Sequence, residues 1–129
     1  MILNLYITQK KIFEEEIQRD LILHAKNTNI LDCFFYNEDD LLVDITGSEL
    51  YFMVKEKPSD EDTAAKINKK IIDFTSAQGG EAEIELTSDD CKNLLGNYIY
   101  AIKIKYNSKF YTLAEGNVCF RKSIIGRES

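Results

Sequence analysis

The stretch Glu-Ala-Glu-Ile-Glu-Leu at Glu81–Leu86 decides the fold class of this 129-residue chain. Its even-numbered positions are apolar and every odd-numbered position is a glutamate. Side chains of a β-strand point alternately to opposite faces, whereas a helical period would place the apolar residues three and four positions apart. The stretch therefore predicts a strand with one face on a core and the other in solvent, as antiparallel sheets commonly have.

A second alternating stretch lies at residues 98–106, where tyrosine and isoleucine take the even positions and Lys103 and Lys105 take odd ones. After the short connection Asn107-Ser108-Lys109 comes an apolar stretch, residues 110–120, with Gly116 inside it at a place suited to a bulge or a bend. The connection has the length of a hairpin loop, so we expect these two strands to be antiparallel neighbours.

Composition and turn residues indicate two further strands and one helical turn. Residues 50–54 are rich in strand-forming side chains, and residues 65–74 give a weaker strand signal before the turn at Gly79-Gly80. Near residues 88–95, either Thr87 or Ser88 can cap a helix, acids occupy the first turn and a glycine follows. These signals predict a short helical turn near residues 88–95 between two strands.

The N-terminal third is open to two interpretations. Residues 11–25 have apolar side chains four positions apart, which fits an amphipathic helix. They also divide into two short strands, 13–17 and 21–25, with a third strand at 31–36. The strand interpretation is favoured because turn signals recur every ~8–12 residues in the rest of the chain, as in β-sandwiches.

Composition bounds the function. The chain has a formal net charge of −6, which is unsuited to nucleic-acid binding, and no apolar run long enough to cross a membrane. Its start lacks the features of a secretory signal. Cys33, Cys91 and Cys119 are odd in number and far apart, so we expect small buried hydrophobes rather than a disulfide framework or metal site. We expect one domain, residues 1–122, and a C-terminal tail, residues 123–129.

Seven strings of this chain follow one another in a recognisable order. They are VDITG at 43–47, LYFMVK at 50–55, SDED at 59–62, INKKIIDF at 67–74, GGEAEIELTSDD at 79–90, GNYIYAI at 96–102 and YTLAEGNVCF at 111–120. Taken together, these strings resemble small immunoglobulin-like domains of phage tail and baseplate proteins, notably the N-terminal region of baseplate upper proteins. The resemblance covers about residues 43–120 and includes the order and spacing of the elements.

The resemblance implies an all-β, immunoglobulin-like antiparallel β-sandwich of about seven or eight strands. It also implies a non-enzymatic virion structural protein, associated with the tail or baseplate, or with the neck or head as an accessory. Such a protein is assembled in the host cytoplasm, docks onto other virion proteins and forms homo-oligomers in the particle. The implied partners include neither nucleic acid nor membrane, and the family has no known catalytic residues.

The candidate residues for catalysis and metal binding are expected to have structural or surface roles instead. His24 is the single histidine and lies among apolar residues, which favours a structural or surface role over catalysis. The acidic runs at 38–40 and 60–62 lack the spacing of a calcium-binding EF-hand loop and are expected to be solvated turns. We therefore expect no catalytic residue, no metal site and no cofactor.

Glu81, Glu83 and Glu85 form one negative strand face and are a candidate contact surface. Two alternatives to simple solvent exposure are open. The glutamates meet Lys103 and Lys105 of a neighbouring strand, or they meet a basic partner subunit.

Tyrosines offer a second candidate surface. Those within residues 98–106 share the parity of buried isoleucines, so we expect them in the core. Tyr51, Met53 and Tyr111 take the opposite parity from Phe52 and are better candidates for contact with a partner. An alternative function is a carbohydrate- or receptor-binding adhesion module, which predicts exposed aromatic side chains in a shallow groove.

Overall fold

A computed structural model describes the backbone of Asn4–Lys10 and Glu15–Ile17, and describes residues 20–37, 39 and 41–122 in full. These residues form nine strands, one short α-helix and one 3-10 turn at Asp62–Ala64. The strands are β1 Asn4–Lys10, β2 Glu15–Ile17, β3 Leu21–His24, β4 Asn29–Tyr36, β5 Glu49–Lys55, β6 Ile67–Ile71, β7 Glu81–Leu86, β8 Gly96–Tyr106 and β9 Lys109–Arg121, and the helix is α1 Ser88–Cys91.

Two sheets contain all nine strands. The four-stranded sheet has the order β2-β1-β4-β7, and the five-stranded sheet has the order β3-β9-β8-β5-β6. Every pairing is antiparallel except that of β3 with β9, which is parallel. In the immunoglobulin fold, strands A, B and E share one sheet, and strands G, F, C and C′ can share the other. The order β1-β4-β7 corresponds to A-B-E, and the order β9-β8-β5-β6 corresponds to G-F-C-C′. The predicted immunoglobulin-like β-sandwich is therefore confirmed.

The strongest local patterns are confirmed. β7 has the predicted bounds, and β8 and β9 form the predicted hairpin, closed by two residues of left-handed conformation, Asn107 (φ 49°) and Ser108 (φ 64°). α1 is the predicted helical turn. Its cap residue Thr87 and the third helical residue Asp90 bond each other's backbone N–H groups through their side chains. Local spacing was enough to identify these elements because strand alternation, a short loop and helix-capping residues are each visible within a single segment.

In the N-terminal third, the strand interpretation is confirmed where the structure describes the chain. β2 and β3 lie inside the stretch that a helix would have occupied, while residues 11–14 and 18–19 lie outside the described part. The described residues form nine strands, whereas seven or eight were expected. The additional strand is β1, which its own sequence pattern did not predict. The predicted tail, residues 123–129, also lies outside the described residues.

The core lies between the sheets. Phe52 on β5 and Tyr100 on β8 are stacked there, with ring centroids 6.1 Å apart. Both are buried, as are Cys33 on β4 and Cys91 on α1, whereas Cys119 on β9 is only partly buried. All three thiols are free. The buried aromatic pair lies on the strands that correspond to C and F, where antibody domains have a tryptophan and one half of a disulfide.

A β-bulge divides β9. Ile102 pairs with Ala114 while the next residue, Lys103, pairs with Thr112, so Leu113 is the additional residue. The bulge was expected at Gly116, but that residue pairs regularly with Tyr100. The additional residue reverses which positions of β9 face the core, and this reversal decides the composition of the outer surface.

In the part of the chain that the structure describes, no helix has the length and apolar character needed to cross a membrane.

Candidate functional site

An open groove of about 790 Å³ lies on the outer face of the five-stranded sheet. β5, β8 and β9 form its floor, and the loop after β5 forms one wall through Pro58 and Asp62. The side chains that define its chemistry are Tyr51, Met53, Lys55, Lys103, Phe110 and Thr112.

Phe110 is the centre of an aromatic and cationic cluster in this groove. Its side chain is 57% exposed, which is unusual for so large an apolar group. The Tyr51 ring lies 6.3 Å from it, centroid to centroid, in a tilted arrangement. The ammonium groups of Lys103 and Lys105 lie 5.4 Å and 5.7 Å from the centre of the Phe110 ring, within the range of cation–π attraction.

Glu49 fixes the polar end of this cluster. The Tyr51 hydroxyl donates a hydrogen bond to the Glu49 carboxylate, and the Lys70 ammonium lies 3.5 Å from the same oxygen. The hydrogen bond raises the pKa of Tyr51 and lowers that of Glu49, because it stabilises the neutral phenol and the ionised carboxylate together. Tyr51 is thus held in one orientation beside Phe110.

The predicted acidic turn at 60–62 forms the wall of the groove. Lys55 Nζ donates to the Asp60 carbonyl at 3.0 Å and to Asp62 Oδ1 at 2.8 Å, and the Asp60 carboxylate accepts from the Lys57 backbone N–H. The hydrogen bond from Lys55 lowers the pKa of Asp62. These carboxylates hold the loop after β5 closed through their hydrogen bonds. Within the described ranges, no group of three potential metal ligands occurs.

The other acidic run, at 38–40, is only partly described, because residues 38 and 40 lie outside the described part of the chain. Asn37 Oδ1 accepts hydrogen bonds from the backbone N–H groups of Asp39 and Leu41, which closes this turn after β4. His24 lies exposed at the end of β3, in agreement with a surface role.

Of the three uncharged residues predicted to contact a partner, Tyr51, Met53 and Tyr111, the structure brings two together in the groove. Tyr51 and Met53 both line the groove. Tyr111 does not, because the bulge at Leu113 places it opposite the buried Ile104, where it packs against the core. Among the predicted core tyrosines, Tyr100 is buried, and those at 98 and 106 pack partly buried against the core.

The alternative in which the glutamate face meets Lys103 and Lys105 of a neighbouring strand is wrong within one chain. Glu81, Glu83 and Glu85 lie on β7 in the four-stranded sheet, whereas the lysines lie on β8 in the five-stranded sheet. The alternating pattern identifies the outward side of each strand, but it does not tell which strands share a sheet.

Sequence reasoning missed Phe110 and Lys55 as groove residues. A signal for Phe110 was available. If residues are paired outward from the loop at Asn107-Ser108, Phe110 lies directly opposite Lys105 on the outward side of the hairpin. No such local signal existed for Lys55, whose partners depend on how the loop after β5 folds.

No protein-family model matches the chain, and no curated protein matches it. Among solved structures, the chain is similar to AggA, the major subunit of aggregative adherence fimbriae type I from Escherichia coli. The identity is 10%, the TM-score is 0.34, and the match covers 95% of this chain and 97% of that chain. A likeness this weak carries no argument, so the fold assignment depends on the strand order described above.

Proposed function

We propose that this protein is a non-enzymatic assembly module that docks the outer face of its five-stranded sheet onto other protein subunits. The observation that carries the proposal is the exposed Phe110, supported by Tyr51 and surrounded by lysine ammonium groups in an open groove. Aromatic residues and methionine are enriched at protein interfaces, where a large rigid side chain is buried at low entropic cost. Met53 adds an adaptable apolar surface to the same groove.

The finer proposal is a structural component of a bacteriophage virion, in the tail or baseplate or as a neck or head accessory. It is assembled in the host cytoplasm onto other virion proteins, with neither nucleic acid nor membrane as partner. Its support is the sequence resemblance over residues 43–120, whose strings fall largely on β5, β7, β8 and β9 of one immunoglobulin-like sandwich.

The virion proposal is tested on phage particles purified from the source organism. Quantitative mass spectrometry is expected to find the chain at a fixed number of copies per particle, and antibody labelling is expected to locate it on the tail or its baseplate. Absence of the chain from particles that are complete and infective contradicts the proposal.

Docking through the groove is tested with two matched substitutions. Phe110→Asp adds a charge to the groove, while Leu95→Asp adds the same charge at an equally exposed apolar position outside it, since Leu95 is 61% exposed. Only the Phe110 variant is expected to lose incorporation into particles in a complementation assay. Equal incorporation of the two variants excludes the groove as the docking surface.

A carbohydrate-binding function is the second candidate, because Phe110 and Tyr51 together provide exposed aromatic faces in a shallow groove. Sugar rings stack on such faces. A glycan array with the native chain and Phe110→Ala separates the two functions: binding that the substitution abolishes supports the adhesion module, and absence of binding excludes it.

A further inference from the structure

One edge of the five-stranded sheet is only partly covered. β3 pairs with β9 at Val118–Arg121, and the covered part ends at Asn117, whose backbone N–H donates to Asp20 Oδ1 at 3.2 Å. Among the described residues, those at 110–116 pair with β8 on one side and with no strand on the other. This stretch, which we call the open edge, therefore presents backbone N–H and C=O groups to a further strand.

The burial of β9 changes where this coverage ends. Val118 and Phe120, which lie beside β3, are 0% and 1% exposed. Tyr111 and Ala114 also face the core, since they pair with buried isoleucines of β8, yet both are only partly buried. The additional residue of the bulge, Leu113, is partly buried as well. Apolar surface under the open edge thus remains for a further strand to cover.

The outer side of the open edge is positively charged. Phe110 and Thr112 point outward there, opposite Lys105 and Lys103 of β8. Both ammonium groups extend across to β9, where they lie over the Phe110 ring at 5.4 Å and 5.7 Å. The exposed Lys109 begins the same strand. A strand added to the open edge would lie about 4.8 Å from β9, so an acidic side chain on its outer side comes within reach of these lysines.

The two lysines of β8 are available for such a partner. Within the described part of the chain, Lys103 and Lys105 make no ion pair within 4 Å, whereas Glu49 and Asp62 on the same face are each paired with another lysine. Glu115 lies toward the opposite end of the open edge from Phe110. The net charge of −6 acts mainly over longer distances, which salt screens beyond about 8 Å, so the nearby lysines decide the attraction.

We propose that the open edge of β9 binds an extended segment of a partner subunit in which acidic residues alternate with apolar ones. The segment joins the sheet as a further strand through backbone hydrogen bonds, as β3 does further along the same edge. Alternate side chains of a strand point to opposite faces, so the apolar residues cover Tyr111 and Ala114 while the acids meet Lys103 and Lys105. The inference rests on the proposed assembly function and specifies the chemistry of the partner.

The test uses the full chain, isotope-labelled for NMR, and a synthetic peptide, Thr-Val-Glu-Val-Glu-Val-Thr, with blocked ends. The peptide reads the same in both directions, so it offers the same side chains to a parallel or an antiparallel pairing. On titration, the amide signals of residues 110–116 are expected to shift and their hydrogen exchange to slow. Lys103→Glu/Lys105→Glu is expected to weaken peptide binding by roughly tenfold or more.

Matched controls separate the role of charge from that of fold. Lys66→Glu/Lys92→Glu makes the same change of net charge at exposed lysines that do not line the groove, and it is expected to bind the peptide like the native chain. A peptide with lysine in place of glutamate is expected to bind the native chain weakly and the Lys103→Glu/Lys105→Glu variant more strongly. Circular dichroism and thermal melting establish that each variant is folded.

Two N-methylated peptides test whether a strand is added. The N–H groups of alternate residues point to opposite edges of a strand, so methylation of the valines and methylation of the glutamates block different edges. Only one of the two methylated peptides is expected to lose binding. Equal binding of both would show that the peptide contacts side chains of the groove without joining the sheet, which contradicts the proposal.

Three further results overturn the proposal. They are no response of residues 110–116 at about 1 mM peptide, equal binding of the glutamate and lysine peptides, and self-association of the chain that the peptide displaces, which identifies a second copy as the occupant. None of them alters the expected dependence of particle incorporation on Phe110, which the complementation assay measures separately. Failure of this inference is therefore distinguishable from failure of the proposed function.

Discussion

Asn29 and His24 are joined by two hydrogen bonds across the turn between β3 and β4. The Asn29 side-chain carbonyl accepts from the His24 backbone N–H at 3.2 Å, and its amide donates to the His24 carbonyl at 3.1 Å. Asn29 is buried, and its amide also lies 3.6 Å from Cys91 Sγ on α1. At this turn the chain passes from one sheet to the other, with Lys26 in the left-handed region (φ 66°).

Asn29→Ala is expected to destabilise the protein by about 1–3 kcal/mol, because it removes both side-chain hydrogen bonds to the partly buried backbone of His24. His24→Ala is the matched control. Since Asn29 bonds only the backbone of His24, that substitution is expected to change stability by no more than about 0.5 kcal/mol. Urea unfolding measures both, and equal losses would show that the side chain of Asn29 does not hold the turn.

Gly80→Ala is expected to be much more costly than Gly47→Ala. Both glycines have positive φ, at 68° and 80°, so both substitutions carry the conformational cost of about 1–2 kcal/mol. At Gly80 an added Cβ would also lie 2.6 Å from the Val43 carbonyl oxygen, whereas nothing lies within 4 Å at Gly47. Thermal melting is expected to show a clearly lower midpoint for Gly80→Ala, and similar midpoints would contradict this close approach.

Two phenylalanines on the same sheet are expected to behave oppositely. Phe52 is fully buried and stacks on Tyr100, so Phe52→Ala is expected to cost about 3–5 kcal/mol, with Phe52→Leu as a milder variant if the first does not fold. Phe110→Ala removes an exposed ring and is expected to cost no more than about 0.5 kcal/mol. Denaturant unfolding measures both. A large loss at Phe110 would mean that the groove stabilises the fold rather than being available for binding.

The three thiols are expected to react with alkylating reagents in the order Cys119, Cys91, Cys33. Burial raises the pKa of Cys33, with a further contribution from the Asp32 carboxylate, and burial also raises the pKa of Cys91. A raised pKa leaves less of the reactive thiolate. Mass spectrometry of the native protein follows the order, and all three are expected to react alike in denaturant. Early labelling of Cys33 would contradict its place in the core.

Stability is expected to fall in acid through Asp90. Partial burial raises the pKa of this carboxyl, but hydrogen bonds from Lys69 and Thr87 outweigh the effect and hold it below its ordinary value of 3.8. A pKa that is lower in the folded state stabilises the fold above pH 3.8, and this stabilisation is lost as the pH falls through the folded value.

Lys69→Met is expected to reduce this acid-dependent loss, because it removes the ammonium 2.8 Å from Asp90. Lys92→Met, which removes the partner of the exposed Asp89 on the same helix, is the control and is expected to leave the pH profile unchanged. Urea midpoints between about pH 2 and pH 6 measure both profiles. A Lys69→Met profile identical to that of the native chain would exclude the Lys69–Asp90 ion pair as the source of the acid-dependent loss.

The elements that sequence reasoning placed correctly are those whose evidence is local. Alternation over Glu81–Leu86 reports the period of a strand directly, and the short connection after Tyr106 limits the pairing of the next strand to a hairpin. Sheet membership is not local. The alternation of the glutamates left open whether Lys103 lies on a neighbouring strand, and only long-range pairing, which places β7 beside β4 and β8 beside β5, answers this question.

The site was only partly predictable for the same reason. Tyr51 and Met53 were placed on the outer face because β5 alternates without interruption, with Phe52 between them in the core. Tyr111 was misplaced because strict alternation does not show an additional residue such as Leu113, which fits only once β9 is paired with β8. Phe110 becomes a groove residue through that same register.

The parallel pairing of β3 with β9 sets an order of events during synthesis. Leu21 pairs with Val118 and His24 with Arg121, so each pair joins residues 97 positions apart in the sequence. The β8–β9 hairpin closes through a two-residue turn and needs only local contacts, which form early in folding. β3 is synthesised among the first strands but cannot pair with β9 until β9 has left the ribosome. A strand that is made early therefore joins its sheet only after the last strand has been made.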